Sequence, residues 1–157
     1  MTITEFILRI LVASAAGAVV GLERQWSNKS AGLRTNTLVA LGASIFVILS
    51  TLVTEHTGDP SRVLGQVVTG IGFLGAGVIF RQGFNVQGLT TAATLWCSAA
   101  NGALAGFGYY SFAIICAILV ITINLSFIFT DRWMTNKQSK NKNKNIHKDN
   151  TSFTEPS

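Results

Sequence analysis

Charged residues are scarce in this sequence. They make up 12% of its 157 residues, against about 25% in an ordinary soluble domain. Hydrophobic residues reach 48%, and the mean hydropathy is +0.43. So few charges cannot cover the surface of a water-soluble globule of this length, and the composition therefore favours a membrane protein.

Cysteine and histidine are equally sparse. The two cysteines, Cys97 and Cys116, lie inside apolar runs; they exclude a dense disulfide framework and are typical of small core residues. His56 and His147 lie in polar segments without a cluster of zinc-ligand spacing. Because no nucleophile–base pair or metal cluster is visible either, we expect neither an enzyme nor a bound cofactor.

Long apolar runs are what the sequence has in abundance. They cover roughly residues 3–22, 36–54, 63–80, 91–106 and 111–130. Most approach the length of about 17–25 residues that crosses a bilayer as a helix, which predicts an all-α polytopic membrane protein with about five spans. A signal peptide is disfavoured because Glu5 precedes the first run and Arg9 interrupts it. Their spacing of four predicts a helical ion pair instead.

The distribution of positive charge predicts the orientation. With five spans, ten of the twelve Lys and Arg residues fall on one side of the membrane. That side is cytoplasmic by the positive-inside rule, so the amino terminus is outside and the carboxyl terminus inside. We expect a transmembrane domain over residues 1–135 and a disordered Lys/Asn-rich tail over 136–157. The tail either fixes the orientation or contacts anionic lipid headgroups.

Residues 70–75 read "GIGFLG", a literal match to the dinucleotide-binding pattern G-x-G-x-x-G. That loop must follow a strand and open a helix, with an acidic residue about 20 positions later. Here the glycines lie midway through an apolar run, and no such acidic residue follows. The nucleotide interpretation therefore fails.

Helix packing explains these glycines better. At about 100° per residue, Gly70 and Gly77 share one side of the helix, and Gly65, Gly72 and Gly75 share the other. Two smooth sides let neighbouring backbones approach closely, as helices do in lipid. We therefore expect the 63–80 helix to be central, and Leu at position 72 or 75 to lower the amount of folded protein.

Small residues recur at spacing four in two other helices. The first helix carries Gly17 and Gly21, and the fourth carries Gly102. These glycines are predicted helix-packing positions. The stretch 111–130 has no glycine and many branched residues, which predicts a peripheral, lipid-facing helix.

Four motifs in order resemble the amino-terminal membrane domain of the MgtC/SapB family. They are "GLERQW" (21–26), "AGLRTNTLVALGA" (31–43), "QVVTGIGFLGAGVI" (66–79) and "GLTTAATLWCSAA" (88–100). The resemblance implies a bacterial inner-membrane protein linked to growth in low magnesium, survival inside macrophages and restraint of the F-type ATP synthase. Family members typically continue into a folded cytoplasmic domain, which we expect this chain to lack.

The resemblance also implies the partners. We expect membrane lipids and other membrane proteins, the F-type ATP synthase among them, with a second copy of the chain as a further candidate and no nucleic acid. A regulator that binds membrane proteins is the first hypothesis. A transport protein, or transport subunit, for magnesium or another ion is the alternative. The absence of Asp, Glu and His from the helix centres argues against a proton-coupled carrier but does not exclude a pore formed by an oligomer.

Polar residues at the membrane surface are the candidate functional side chains. Glu23, Arg24 and Arg34 flank the first cytoplasmic loop and form either a docking charge network or a set of orientation anchors. A second set of polar residues near helix starts either caps helices or lines a cytoplasmic pocket beside Arg34 and Arg81. That second set is Thr35, Asn36, Thr90 and Thr91.

Three further residues are ambiguous. Asp59 precedes a proline and reads as a helix N-cap; its alternative is a weak outward-facing magnesium site with Glu55, since magnesium prefers carboxylate ligands. Trp96 either packs inside the bundle or anchors a partner. Asn101, inside a predicted helix, needs a hydrogen-bond partner across a helix interface.

Overall fold

A computed structural model describes residues 1–53 and 59–127 of the chain. Residues 1–121 belong to one compact unit. Within the described residues the elements are α1 (Ile3–Trp26), α2 (Leu33–Val53), α3 (Pro60–Val78), β1 (Phe80–Gln82), β2 (Asn85–Gln87), α4 (Leu89–Gly106) and α5 (Tyr110–Phe127). The predicted all-α membrane architecture is confirmed. The tail over 136–157 lies outside the described residues and stays a prediction.

Four of the described helices are long and apolar enough to cross a membrane, namely α1, α2, α3 and α5. The more polar α4 runs antiparallel to α1 along its length. At one end the Arg9 Nη1 donates to the Gly106 carbonyl at 2.8 Å, and at the other end Arg24 meets Thr91. Since α1 is long enough to cross, we infer that α4 crosses beside it, which makes five spans.

Side-chain caps define the starts of α1 and α3. Thr2 and Glu5 form a capping box at the start of α1. Glu5 and Arg9, predicted to pair with each other, instead take the partners Thr2 and Gly106.

Asp59 caps α3 as predicted, with Pro60 at the first helical position and its carboxylate 2.9 Å from the Ser61 amide. Hydrogen bonds from the Ser61 hydroxyl and amide lower the pKa of the Asp59 carboxyl. The folded-state pKa lies below the unfolded one, so the cap stabilises the fold above the unfolded pKa. This contribution is lost as the pH falls through the lowered pKa.

The central helix is α4, and the prediction of a central α3 is wrong. Helix α4 packs against α1, α2 and α3 and buries ten of its eighteen residues. Helix α3 buries only Ile71 and Gly75. The physical reason is that α4 carries small residues around most of its circumference, in the sequence "TTAATLWCSAANGALAG", so several backbones can approach it at once.

Close backbone contacts occur at glycines of α1 and α4. A β-carbon on Gly17 would lie 2.6 Å from the Asn36 carbonyl oxygen, and one on Gly21 would lie 2.6 Å from the Leu33 Cα. A β-carbon on Gly102 would overlap the Ala40 carbonyl oxygen. Three of the predicted packing glycines therefore lie where α2 meets α1 and α4, with no room for a side chain.

The glycines of α3 have a different environment. A β-carbon on Gly65, Gly70, Gly72 or Gly77 would meet nothing within 4 Å, and one on Gly75 would lie at an ordinary 3.6 Å from the Ala92 Cβ. Among the described residues, no neighbouring helix therefore makes a close backbone contact with the two glycine-bearing sides of α3. The spacing of the glycines shows that a helix backbone could approach these positions, but it does not show that a neighbouring helix packs there.

Helix α5 is peripheral, as predicted. Its first half contacts α1 through small residues, with Ala113 packed near Ala13 and Ala117 near Ala16. Its bulky residues, such as Phe112 and Ile115, are exposed. Exposed apolar side chains of this kind suit a helix that faces lipid.

A short β-hairpin joins α3 to α4 and was not predicted. Arg81 pairs with Val86 in an antiparallel register, and a two-residue turn begins at Gly83 with a φ of 63°. Glycine at the first turn position is what a tight hairpin of this kind favours. Gly88 then starts α4 with a φ of 87° and packs against the Val78 carbonyl, where a β-carbon has no room.

The predicted orientation is testable at the two ends of α3. In a variant whose Cys97 and Cys116 are replaced by alanine, Arg62→Cys is expected to react with a membrane-impermeant maleimide in intact cells, and Gln82→Cys only after permeabilisation. Both positions are exposed. The opposite labelling pattern would contradict the assignment of the hairpin to the cytoplasm.

Candidate functional site: a buried polar seam

Polar side chains form a line through the interior where α1, α2 and α4 meet. We call this line the polar seam. Its members are Arg24 on α1, Asn36 and Ser44 on α2, and Thr91, Ser98 and Asn101 on α4. All six are buried. From Thr91 to Asn101 the seam extends over about 15 Å of helix, which is about half the hydrocarbon core of a bilayer.

Arg24 lies at one end of the seam, in the last turn of α1. Its side chain is 2% exposed. Its Nη2 donates to the Thr91 hydroxyl over a long 3.4 Å, and the Ser30 hydroxyl lies 3.5 Å from the same oxygen. Its Nε is buried and has no hydrogen-bond partner within residues 1–53 and 59–127. A helix C-terminus favours a cation, but this guanidinium is incompletely satisfied for a buried charge.

Glu23 is buried beside Arg24 and accepts a hydrogen bond from the Ser27 hydroxyl at 2.9 Å. The structure therefore brings two of the three predicted surface charges into the protein interior. The third, Arg34, is exposed on α2. The predicted network of all three is thus divided between the interior and the membrane-facing surface.

Asn36 and Ser98 form the middle of the seam. The Asn36 Nδ2 donates to the carbonyls of Ala31 and Gly32 at 3.0 and 2.9 Å, which ties the loop before α2 to the first turn of the helix. The Ser98 hydroxyl donates to the Asn36 Oδ1 at 2.7 Å. This buried bond joins α2 to α4, as polar residues do within membrane bundles.

Two further seam residues are unsatisfied. Among the described residues, the Ser44 hydroxyl and the Asn101 Nδ2 are both buried without a hydrogen-bond partner. For Asn101, the interhelical bond expected from the sequence is therefore not made by the amide nitrogen. Unpaired polar groups are costly in a membrane interior, so the seam contains donors that a conformational change or a bound group would satisfy.

The remaining predicted polar residues do not join the seam. Thr35 is exposed beside Arg34, and Thr90 is exposed at the start of α4. Arg81 is exposed on the hairpin, where its Nε donates to the Gly83 carbonyl. These residues therefore do not form one pocket: Arg34 and Thr35 line the end of a groove together, whereas Thr91 faces Arg24 inside the bundle.

The other candidates lie elsewhere. Trp96 is half exposed on α4 and lines a shallow pocket with Leu64 and Phe107. Asp59 is occupied by its capping bonds to Ser61. Glu55, its proposed partner in a magnesium site, lies outside the described residues, so that site stays a prediction.

Sequence reasoning missed the seam as a unit. The signal is the polar spacing of three, four and three along α4, over Thr91, Thr94, Ser98 and Asn101. That spacing places these residues on one helix face. The prediction considered only the small residues of the fourth helix and therefore did not identify this polar pattern.

A groove between α2 and α3 has a volume of about 600 Å³. Apolar side chains such as Leu38, Phe46 and Val67 form its walls. Gly42 and Gly70 also line it, and both have open space at the β-carbon position. Arg34 and Thr35 lie at the end formed by the start of α2. We call this surface the α2–α3 groove.

Comparison with known proteins identifies relatives for most of the chain. The model of the MgtC family matches residues 10–133. The chain is 50% identical over 125 residues to protein MgtC of Salmonella typhimurium, covering 80% of this chain and 53% of that protein. It is 56% identical over 108 residues to protein MgtC of Brucella abortus, covering 69% and 45%.

An uncharacterized protein of Synechocystis is similar to the same degree, at 52% identity over 122 residues, covering 78% of this chain and 52% of that protein. The chain thus spans about half the length of the curated relatives it matches. No solved structure matches.

Proposed function

The chain belongs to the MgtC family, and on that basis we propose that it is a regulatory protein of the bacterial inner membrane. The observation that carries the proposal is its 50% identity to MgtC of Salmonella over 80% of its own length. A multi-pass membrane protein follows from the helices and the family. The assignment to the inner membrane is part of the proposal.

The resemblance supplies the physiological context of the proposal. We infer that the protein supports growth in low magnesium and survival inside macrophages, and that it restrains membrane energetics, with the F-type ATP synthase as the first candidate target. Because the chain spans about half of its relatives, each of these roles is proposed for this chain on the basis of its membrane domain.

The contact surface we propose lies on α3. Gly65, Thr69, Gly72 and Ala76 share one side of this helix and are all exposed; we call them the α3 outer face. Small residues at this spacing let a helix of another protein approach the backbone within lipid. The close contacts at Gly17, Gly21 and Gly102 are already used inside the chain. Among the described helices, the glycines with open space at the β-carbon position lie on α3, apart from Gly42 on α2.

Complementation of a deletion strain tests the regulatory function. The wild-type chain is expected to restore growth in low magnesium and to have no effect in ample magnesium. Gly72→Leu is expected to be produced at the wild-type level, because its added side chain enters open space, yet to fail to restore growth because it blocks the α3 outer face.

Gly77→Leu is the matched control. It makes the same exchange on the same helix, also in open space, but on a different side. We expect it to restore growth. Equal rescue by both variants would overturn the assigned contact surface, and a deletion strain without a growth defect in low magnesium would overturn the regulatory proposal itself.

A further inference from the structure

The α2–α3 groove runs along most of the membrane depth. It extends on α2 from Arg34 to Phe46, which is about 18 Å at the helical rise of 1.5 Å per residue. That length exceeds one leaflet of a hydrocarbon core of about 30 Å. An occupant therefore lies along the helices, with one end at the start of α2.

The groove has room for an elongated apolar occupant. Its volume is about 600 Å³ over a length of about 18 Å, which admits a single extended hydrocarbon chain.

The polarity of the groove changes along its length. Its walls are apolar through Leu38, Val67 and Leu74, with the uncharged amide of Gln66 on α3. The guanidinium of Arg34 and the hydroxyl of Thr35 lie at one end. Both residues are exposed, and within the described part of the chain the Arg34 side chain takes part in no hydrogen bond or ion pair. A free cation at the mouth of an apolar groove complements a molecule with an anionic head and a hydrocarbon tail.

We propose that the α2–α3 groove is a specific site for an anionic phospholipid. One acyl chain lies between α2 and α3 over Gly42 and Gly70, and the phosphate of the headgroup accepts hydrogen bonds from Arg34 and Thr35. By the predicted orientation this lipid belongs to the cytoplasmic leaflet. The site is distinct from the α3 outer face, because Gly70 and Gly72 point to opposite sides of α3.

Lipid exchange on the purified full chain in detergent tests the site. Native mass spectrometry with phosphatidylglycerol and phosphatidylcholine of identical acyl chains is expected to show a preference for phosphatidylglycerol. Arg34→Gln is expected to lower that preference about fivefold, the equivalent of about 1 kcal/mol for one cation at the lipid surface. Arg81→Gln removes an exposed cation outside the groove and is expected to leave the preference unchanged.

The apolar part of the site is tested separately. Gly70→Leu fills the groove without an internal clash and is expected to weaken the binding of both lipids. Gly72→Leu, its matched control, is expected to bind lipid like the wild type even where it fails to restore growth. Lipid binding by these two variants tests the groove, whereas growth rescue by Gly72→Leu tests the α3 outer face, so the two proposals can fail independently.

Unchanged lipid preference in Arg34→Gln, or unchanged binding in Gly70→Leu, would overturn the proposal. So would an efficient disulfide-linked dimer of Gly70→Cys in membranes of a variant whose native cysteines are replaced, since a second copy of the chain would then occupy the groove.

Discussion

Gly102→Leu is expected to destabilise the protein by about 3 kcal/mol or more and to remove most of the folded material from membranes. The reason is steric. A β-carbon at position 102 would overlap the Ala40 carbonyl oxygen, which is backbone that cannot rotate away. To accept leucine, α2 and α4 must separate, and their separation would break the buried bond from Ser98 to Asn36.

The matched control for this prediction is Gly72→Leu on α3. The same exchange there enters open space, and an exposed glycine within a helix costs about 1 kcal/mol relative to alanine. We therefore expect unchanged or slightly higher stability, in contrast to the loss that the sequence alone predicted. Thermal unfolding of both variants in the same detergent provides the comparison. Equal losses would show that α3 is packed within the protein and that α4 is not its centre.

Arg24→Met is expected to abolish growth rescue in low magnesium while the protein folds normally. The guanidinium is 2% exposed, yet it makes one long hydrogen bond and keeps an unpaired Nε. Methionine has a similar length and fills the same space. Glu23, which is buried beside Arg24, keeps the hydrogen bond from the Ser27 hydroxyl, so its carboxylate is not left without a partner. We therefore assign the arginine a role in function rather than in stability.

Rescue is measured in the deletion strain, with protein level and thermal unfolding measured in parallel. Arg24→Met is expected to grow like the empty vector and to unfold within a few degrees of the wild type. Arg62→Met, which changes an exposed arginine outside the seam, is expected to rescue fully. Normal rescue by Arg24→Met, or loss of its folded protein, would contradict the functional assignment.

Composition and local pattern predicted much of the architecture. Apolar length and charge placement indicated five spans before any contact was known, and Asp59-Pro60 marked the start of α3 because a cap needs only neighbouring residues. Gly17, Gly21 and Gly102 were identified by spacing. These features depend on solvent, helix geometry and local chemistry, which a single sequence contains.

The pairing of helices could not be predicted in the same way. The spacing of small residues predicted two glycine-lined sides on α3 and one on α4. Which of the two helices lies at the centre of the bundle, however, depends on how well every neighbouring helix packs against it. Gly70 and Gly72 therefore suggested that α3 is the central helix, whereas the structure shows that α4 is the most buried one.

The functional site shows the same limit. Arg24, Asn36 and Thr91 were identified individually, whereas their grouping with Ser44 and Ser98 depends on which helices meet.

The most direct test of the account is co-reconstitution of the purified chain with a bacterial F-type ATP synthase in liposomes. In our proposal, this protein acts by contacting another membrane protein through α3. The wild-type chain is expected to slow ATP-driven proton pumping without raising passive proton leak, and Gly72→Leu is expected to leave pumping unchanged. Unaltered pumping with the wild-type chain, together with selective cation flux through the chain alone, would contradict the account and identify a transporter.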